Sequence, residues 1–266
     1  MPIDNLKKYG TPPFSTVLVH GGPGAAGEMA PVARRLAYSG IAALEPLQTE
    51  STLRRQLDEL KDSIISNAEC PVYLIGFSWG AWLSFILAAE NPSLVKKLIL
   101  IGSGVFEEKY VKNLHETRLA RLSADEKKEL EVILDILKGP EDSDKDAAFQ
   151  RFGALLSKTD SFSPCEDGEK NEIDFSPDIF NGVWPEAAAM RKNGMLMKLC
   201  SKIKCPVTAI HGDHDPSLAD GVQKPLAASL REFKFVLLDS CGHKPWIERY
   251  AREQFYEILQ SELEVF

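Results

Sequence analysis

Positive charge is in short supply. Lysine and arginine total 31 against 39 aspartates and glutamates, a formal charge of −8, and that balance argues against nucleic acid or an anionic membrane surface as a partner. Long apolar runs are missing too: none approaches the ~18 residues of a membrane-crossing helix. The N-terminus has no charged-then-apolar leader, so the expectation is a chain that neither spans a membrane nor is secreted. Cysteine is sparse and odd in number, and Cys70, Cys165, Cys200, Cys205 and Cys241 include no Cys-x-x-Cys pair. That shows no obvious bridge, gives no support to a metal centre, and makes a reducing cytoplasm the expected location. Internal repeats and low-complexity tracts are absent. What remains is 266 residues of 44% hydrophobic content, enough for one substantial core with an inserted lobe.

The chain is organised around Val72-Tyr73-Leu74-Ile75-Gly76-Phe77-Ser78-Trp79-Gly80. An apolar run behind Cys70-Pro71 enters a Gly-x-Ser-x-Gly pentapeptide, and a helical stretch from Trp79 to Glu90 follows, closed by Asn91-Pro92. Strand, sharp turn and helix form the context in which this pentapeptide presents a serine hydroxyl clear of a sheet edge. Before it, residues 1–15 read as a loose polar entry segment, 16–20 as a buried strand ending in Gly21-Gly22-Pro23-Gly24, 29–38 as a helix, and 41–44 as a short strand. Ser51 or Thr52 caps a helix whose Leu53, Leu57, Leu60 and Ile64 fall on one face. After it comes a strand over 97–101. Strands alternating with helices predict a mostly parallel sheet of about six strands with helices on both faces.

The alternation stops at Gly102-Ser103-Gly104 and resumes at Pro206. The stretch between is helical and charged, with a capping box at Ser123 and Glu126, a Ser176-Pro177 helix start, and an acidic loop over 160–174. Strands at 206–211 and 233–238, a helix near 220–230, and an amphipathic helix from 247 to about 263 complete the pattern.

Ser78, then Asp213 or Asp215, then His243 each lie just past the C-terminal end of an expected strand, where parallel sheets put their ligands. A serine hydroxyl needs a base to take its proton as it attacks. A histidine titrating near neutrality can take that proton and return it to a leaving group. A carboxylate behind the ring fixes its tautomer and stabilises the imidazolium. A lone loop histidine carries no such meaning; His243 acquires it from Ser78 and the chain order.

These residues resemble the α/β-hydrolase family, from Thr16 to the C-terminal helix. The matching pieces are His20-Gly21-Gly22-Pro23-Gly24, Gly76-Phe77-Ser78-Trp79-Gly80, Gly212-Asp213-His214-Asp215 and Cys241-Gly242-His243-Lys244-Pro245-Trp246. The resemblance implies an α/β-hydrolase fold with residues 1–103 and 205–266 as the core and 104–204 as an inserted helical cap. Through the family's Gly-x-x-Asp spacing it implies Asp215 as the acid, with Asp213 as the alternative. It implies an oxyanion hole from the backbone N–H groups of Gly22 and Trp79, with His20, His211 and His214 as supports of their loops. The implied activity is hydrolysis of a small ester or amide through an acyl-enzyme on Ser78, needing no cofactor. A serine nucleophile argues against the aspartate-dependent dehalogenases and epoxide hydrolases. His-Gly-Gly-Pro-Gly with Ser-Trp-Gly is also similar to the prolyl iminopeptidase branch, where cap carboxylates hold a free ammonium. Glu186 and the 160–174 stretch could do so here, although a solvated acidic loop is the plainer reading. That branch has Gly where Phe77 stands and a longer β-rich N-terminal segment. A non-catalytic ligand receptor on the same scaffold is a third reading, one with no need of all three site residues. Oligomeric state is not legible in the sequence.

Overall fold

Along each central strand, alternate residues enter two different cores, because successive side chains of a strand point to opposite faces. The structure is a computed structural model that describes residues 5–139, 145–165 and 173–263. The chain begins with β1 (Leu6–Tyr9), β2 (Thr16–Val19), β3 (Ala25–Ala26), α1 (Ala30–Tyr38), β4 (Ala43–Pro46) and α2 (Leu53–Asn67). The centre follows as β5 (Val72–Phe77), α3 (Trp79–Glu90) and β6 (Val95–Ile101). Next come α4 (Val111–Ala120), α5 (Ala124–Lys138), α6 (Lys145–Asp160), β7 (Asp174–Phe175), α7 (Pro177–Lys192) and α8 (Met195–Leu199). The chain returns to the sheet with β8 (Val207–Gly212), α9 (Asp220–Ser229), β9 (Phe233–Leu238) and α10 (Arg252–Glu262).

Seven strands form the main sheet in the order β1-β4-β2-β5-β6-β8-β9, all parallel except β1, which runs antiparallel to β4. Leu74, Leu98, Leu100 and Val207 face the core shared with α2, α3 and α9. Tyr73, Ile75, Phe77, Ile99, Ile101 and Ile210 face the core shared with α1 and α10. Every residue of α3 from Trp79 to Ala89 is buried, which explains why this helix is apolar all round rather than on one stripe.

The sheet has one strand more than the six expected. Leu6–Tyr9, read from sequence as loose entry, is an edge strand in which half-buried Leu6 and Tyr9 bracket exposed Lys7 and Lys8. Four residues of that composition carry no strand signal of their own. They pair because β4 offers an open edge (Leu6 opposite Pro46, Tyr9 opposite Ala43) and because the Tyr9 hydroxyl donates to Glu45 Oε2 at 2.8 Å. The strand expected at 41–44 lies at Ala43–Pro46, since Ile41 N still closes the α1 turn on Leu36 O. The C-terminal helix starts at Arg252 rather than 247; a 3₁₀ turn over Pro245–Ile247 precedes it. In the acidic 160–174 stretch, Asp160 ends α6 and Asp174 belongs to β7, while Glu166, Asp167, Glu169, Lys170 and Glu172 lie outside the described residues.

The helices between β6 and β8 divide between two cores. Val183 and Ala187 of α7 and Leu196 and Leu199 of α8 belong to the main core beside α3. Leu122, Ile133, Ala148 and Leu155 form a small core of their own under α5 and α6. Thr52 caps α2 and Ser176 caps α7, each accepting the N–H three residues on, and Ser123 with Glu126 makes a reciprocal capping box at α5.

Candidate active site

The turn between β5 and α3 holds Ser78 at φ 53° and ψ −114°, a conformation that costs a side-chain-bearing residue ~1–3 kcal/mol. Packing enforces it. Ser78 N donates to Ile101 O at 2.9 Å. A Cβ at Gly76 would sit 2.3 Å from Gly80 O, and one at Gly80 would sit 2.3 Å from Val19 O. Glycine at both flanks lets strand, helix and neighbouring strand meet at backbone distance.

Ser78 meets Asp215 and His243, both more than a hundred residues further along the chain, at the C-terminal edge of the sheet. His243 Nε2 lies 3.0 Å from Ser78 Oγ, and its Nδ1 lies 2.7 Å from Asp215 Oδ2. Asp215 is buried; its second oxygen accepts from Ser217 N at 2.8 Å. Burial alone would push the Asp215 carboxyl up, but His243, His211 and these hydrogen bonds hold it below its ordinary range. For His243, burial favours the neutral ring, yet the Asp215 charge and hydrogen bond outweigh it and raise its pKa above the ordinary value, with Asp160 adding and Arg118 opposing. The Phe77 ring packs against the imidazole at 4.9 Å and against Trp246 at 4.7 Å, closing off the ring's inner face.

Asp213 takes a different position. It is exposed, and its Oδ1 accepts from Cys241 N at 3.0 Å, tying the acid loop to the histidine loop. His211 is buried behind Asp215, with Nε2 donating to Ser217 O and 3.6 Å from Asp215 Oδ2. His214 stacks edge-on against Phe162, and burial followed by the Arg121 charge lowers its pKa.

The glycine-rich loop after β2 carries Gly22 at φ +98° and lies against the serine turn. Its His20 is fully buried, and burial keeps the ring neutral. Nε2 accepts from Gln48 N at 3.1 Å, so Nδ1 carries the proton and donates to Gly21 O at 2.8 Å. Gln48 then joins this loop to the serine turn: its Nε2 donates to His20 O at 2.9 Å and its Oε1 accepts from Trp79 Nε1 at 2.9 Å. Trp79 is the first residue of α3, so its backbone N–H has no acceptor within the helix. Sequence reasoning missed Gln48, which no local pattern marks. It also missed Glu28, a buried acid whose Oε1 meets Lys244 Nζ at 2.7 Å.

The segment between β6 and β8 reaches this loop through β7 and the cap residue of α7. Ala25 and Ala26 pair with Phe175 and Asp174 in a two-stranded antiparallel ribbon, and Ser176 N donates to Gly24 O at 2.9 Å. From there a row of rings runs Phe149, Phe175, Phe180, Trp184 and Trp82, with centroids 5.7 to 6.1 Å apart. Glu186 is exposed on α7.

A family model described as the alpha/beta hydrolase fold matches residues 70–250. No curated protein matches the sequence. Among solved structures, the chain is similar to VinJ at 17% identity and a TM-score of 0.66, covering 97% of this chain and 94% of that one. It is similar to the proline iminopeptidase of Mycobacterium smegmatis at 16% identity and a TM-score of 0.62, covering 97% and 95%. It is also similar to a monoacylglycerol lipase from Paleococcus ferrophilus at 17% identity and a TM-score of 0.60, covering 97% of each chain. Likeness at such identities is a likeness of fold, and the family follows from the sequence model together with that fold: the chain belongs to the α/β-hydrolase family.

Proposed function

We propose that the chain is a serine hydrolase that cleaves a small ester through an acyl-enzyme on Ser78. The observation that carries this reading is the continuous hydrogen-bond chain from Ser78 Oγ through His243 to Asp215, at 3.0 and 2.7 Å. Ser78 Oγ attacks the acyl carbonyl while His243 Nε2 takes its proton, and Asp215 stabilises the imidazolium that forms. The backbone N–H groups of Trp79 and Gly22 bind the developing oxyanion. Collapse expels the alcohol, which takes its proton from His243. Water then attacks the acyl-enzyme as His243 removes its proton, the acid leaves, and the proton returns to Ser78. The chemistry calls for no cofactor.

An ester is favoured over a free-amine substrate by what borders the glycine-rich loop. A desolvated ammonium needs a carboxylate beside it; Glu28, the carboxylate bordering this loop, is paired with Lys244 at 2.7 Å, while Phe175 pairs with the loop and Ile179 lies against Gly24. Asp160 is engaged by Arg118 in a two-point ion pair at 2.8 and 2.5 Å. On this reading residues 104–204 act as the cap that selects the acyl group, and the five unpaired thiols support a cytoplasmic location.

The test is a fluorophosphonate probe followed by substrate comparison. The probe should label the protein once, at Ser78, and leave Ser78→Ala untouched; equal labelling of both would remove Ser78 from the mechanism, and labelling of neither would favour a ligand receptor. Acetyl and butyryl p-nitrophenyl esters should exceed proline 4-nitroanilide in kcat/KM. A strong preference for the free-amine anilide over its N-acylated form, lost on neutralising Glu186, would instead establish an aminopeptidase.

A further inference from the structure

The loop that carries His243 is held at three consecutive residues from three separate parts of the chain. Gly242 N donates to Glu248 Oε1 at 3.1 Å, His243 N donates to Asp160 O at 2.7 Å, and Lys244 Nζ meets Glu28 Oε1 at 2.7 Å. Glu248 is the hub of this arrangement. It is fully buried, yet its charge is met by main-chain donors: Oε1 also accepts from Phe162 N at 2.8 Å, and Oε2 accepts from Ser163 N at 2.7 Å. Around it the chain segments pair like a short ribbon, Arg249 N to Ser163 O at 2.9 Å and Cys165 N to Ile247 O at 2.8 Å. The loop has no slack. A Cβ at Gly242 would lie 2.3 Å from Asp160 O and 2.4 Å from Glu248 Oε1.

We propose that Glu248 is a positioning residue for the base, fixing the His243 loop to the 160–165 segment so that the imidazole spans Ser78 and Asp215. The proposal rests on the reading of His243 as the base. A buried carboxylate can accept all three N–H groups at once, and hydrogen bonds to a charged acceptor are the stronger kind. A glutamine of the same shape offers one oxygen and sets its amide NH₂ against one of the donors. Glu248→Gln therefore loosens the join without opening a cavity, and Glu248→Asp keeps both oxygens but draws them back by one methylene. His243 then drifts from Asp215. Displacements well under 1 Å at reacting groups are expensive, on the order of 10² in rate for a full ångström. The charged groups acting on His243 are Asp215 foremost, then Asp160 and Arg118 from the lobe, with Lys244 and its partner Glu28 adjoining. A weakened Asp215 contact releases the largest influence holding the ring's proton.

The experiment uses the full chain with a p-nitrophenyl ester, measuring kcat, KM and the pH dependence of kcat/KM well below the melting temperature, alongside urea unfolding. Expected for Glu248→Gln are a kcat lower by roughly 10- to 100-fold, KM within about twofold, and the acidic limb displaced to lower pH, with Glu248→Asp intermediate. Lower stability with an unchanged kcat and an unmoved limb overturns the proposal, since that is the signature of a purely structural acid. If Glu248→Gln does not fold, Glu248→Asp is read the same way, and wild-type kcat and limb in it overturn the proposal equally. His243→Ala separates the two layers. Full activity in that variant defeats the reading of His243 as base. Lost activity there, with wild-type behaviour in the Glu248 variants, defeats only the positioning role.

Discussion

A serine hydroxyl is a weak nucleophile, and on the proposed reading the His243 and Asp215 beside Ser78 make proton removal concerted with attack. Loss of the base or mis-orientation of its ring should be costly: His243→Ala and Asp215→Asn are each expected to lower kcat by about 10⁴-fold, the scale seen when a triad histidine is left in the wrong tautomer. Asp213→Asn should cost far less, because its contact is with Cys241 N rather than with the ring. Steady-state kinetics on the three variants decides, and a severe effect confined to Asp213→Asn would reverse the assignment. The pH profile belongs to this scale too. Only neutral imidazole accepts a proton, so kcat/KM should rise with pH through the free-enzyme pKa of His243. Asp215 raises that pKa, so the midpoint of the limb should lie above the ordinary ~6.5. A midpoint well below it would mean that the Asp215 contact is absent in solution.

Elements matter here chiefly through how closely they approach. α3 sits with its second residue against the end of β2, where a methyl on Gly80 would press on the carbonyl oxygens of Val19 and His20 at 2.3 and 2.4 Å. Backbone cannot swing aside as a side chain does. Gly80→Ala should therefore lose at least ~1–3 kcal/mol of stability and distort the serine turn. Gly153, inside α6, has nothing within 4 Å of an added Cβ. Gly153→Ala should gain roughly 0.5–1 kcal/mol from helix propensity. Urea midpoints of the two variants check both signs, and a Gly80→Ala protein as stable as the parent would contradict the close approach.

At the scale of the whole molecule, one carboxylate ties the last helix to three strands. Glu262 of α10 accepts from Thr208 Oγ1 of β8 at 2.7 Å and pairs with Lys97 of β6 at 2.8 Å and Lys234 of β9 at 2.6 Å. Burial would raise its pKa, but these three partners bring it down to about 2. A folded-state value below the unfolded one means stability present above about 4.5 and lost as pH falls toward about 2. With Lys234 largely exposed, the contribution at neutral pH is on the order of 1–3 kcal/mol. Glu262→Gln should lower the urea midpoint at pH 7 and flatten the acid side of the stability curve between pH 5 and 2. Parallel curves for variant and parent would show that the tie contributes nothing.

The sequence by itself determined what rests on local pattern. Alternating strand and helix periods set the parallel sheet, and glycine on both sides of Ser78, between an apolar strand and an apolar helix, announced the sharp turn, because such a turn needs those residues in that order. His243 after the last strand stood out as a candidate base through Ser78 and the chain order, not through any local pattern. Tertiary structure decided whatever depends on partners far along the chain. Leu6–Tyr9 is a strand only because β4 has an open edge. Asp213 and Asp215 are chemically alike and two residues apart, and only the path of their loop turns one toward His243 and the other toward Cys241 N. Gln48 and Glu248 look like ordinary polar residues until the fold brings groups of distant segments against them: hydrogen bonds that span 28 and 31 residues for Gln48 and 85 and 86 for Glu248 leave no periodicity in the sequence, and it is long-range closure that gives those side chains their contacts.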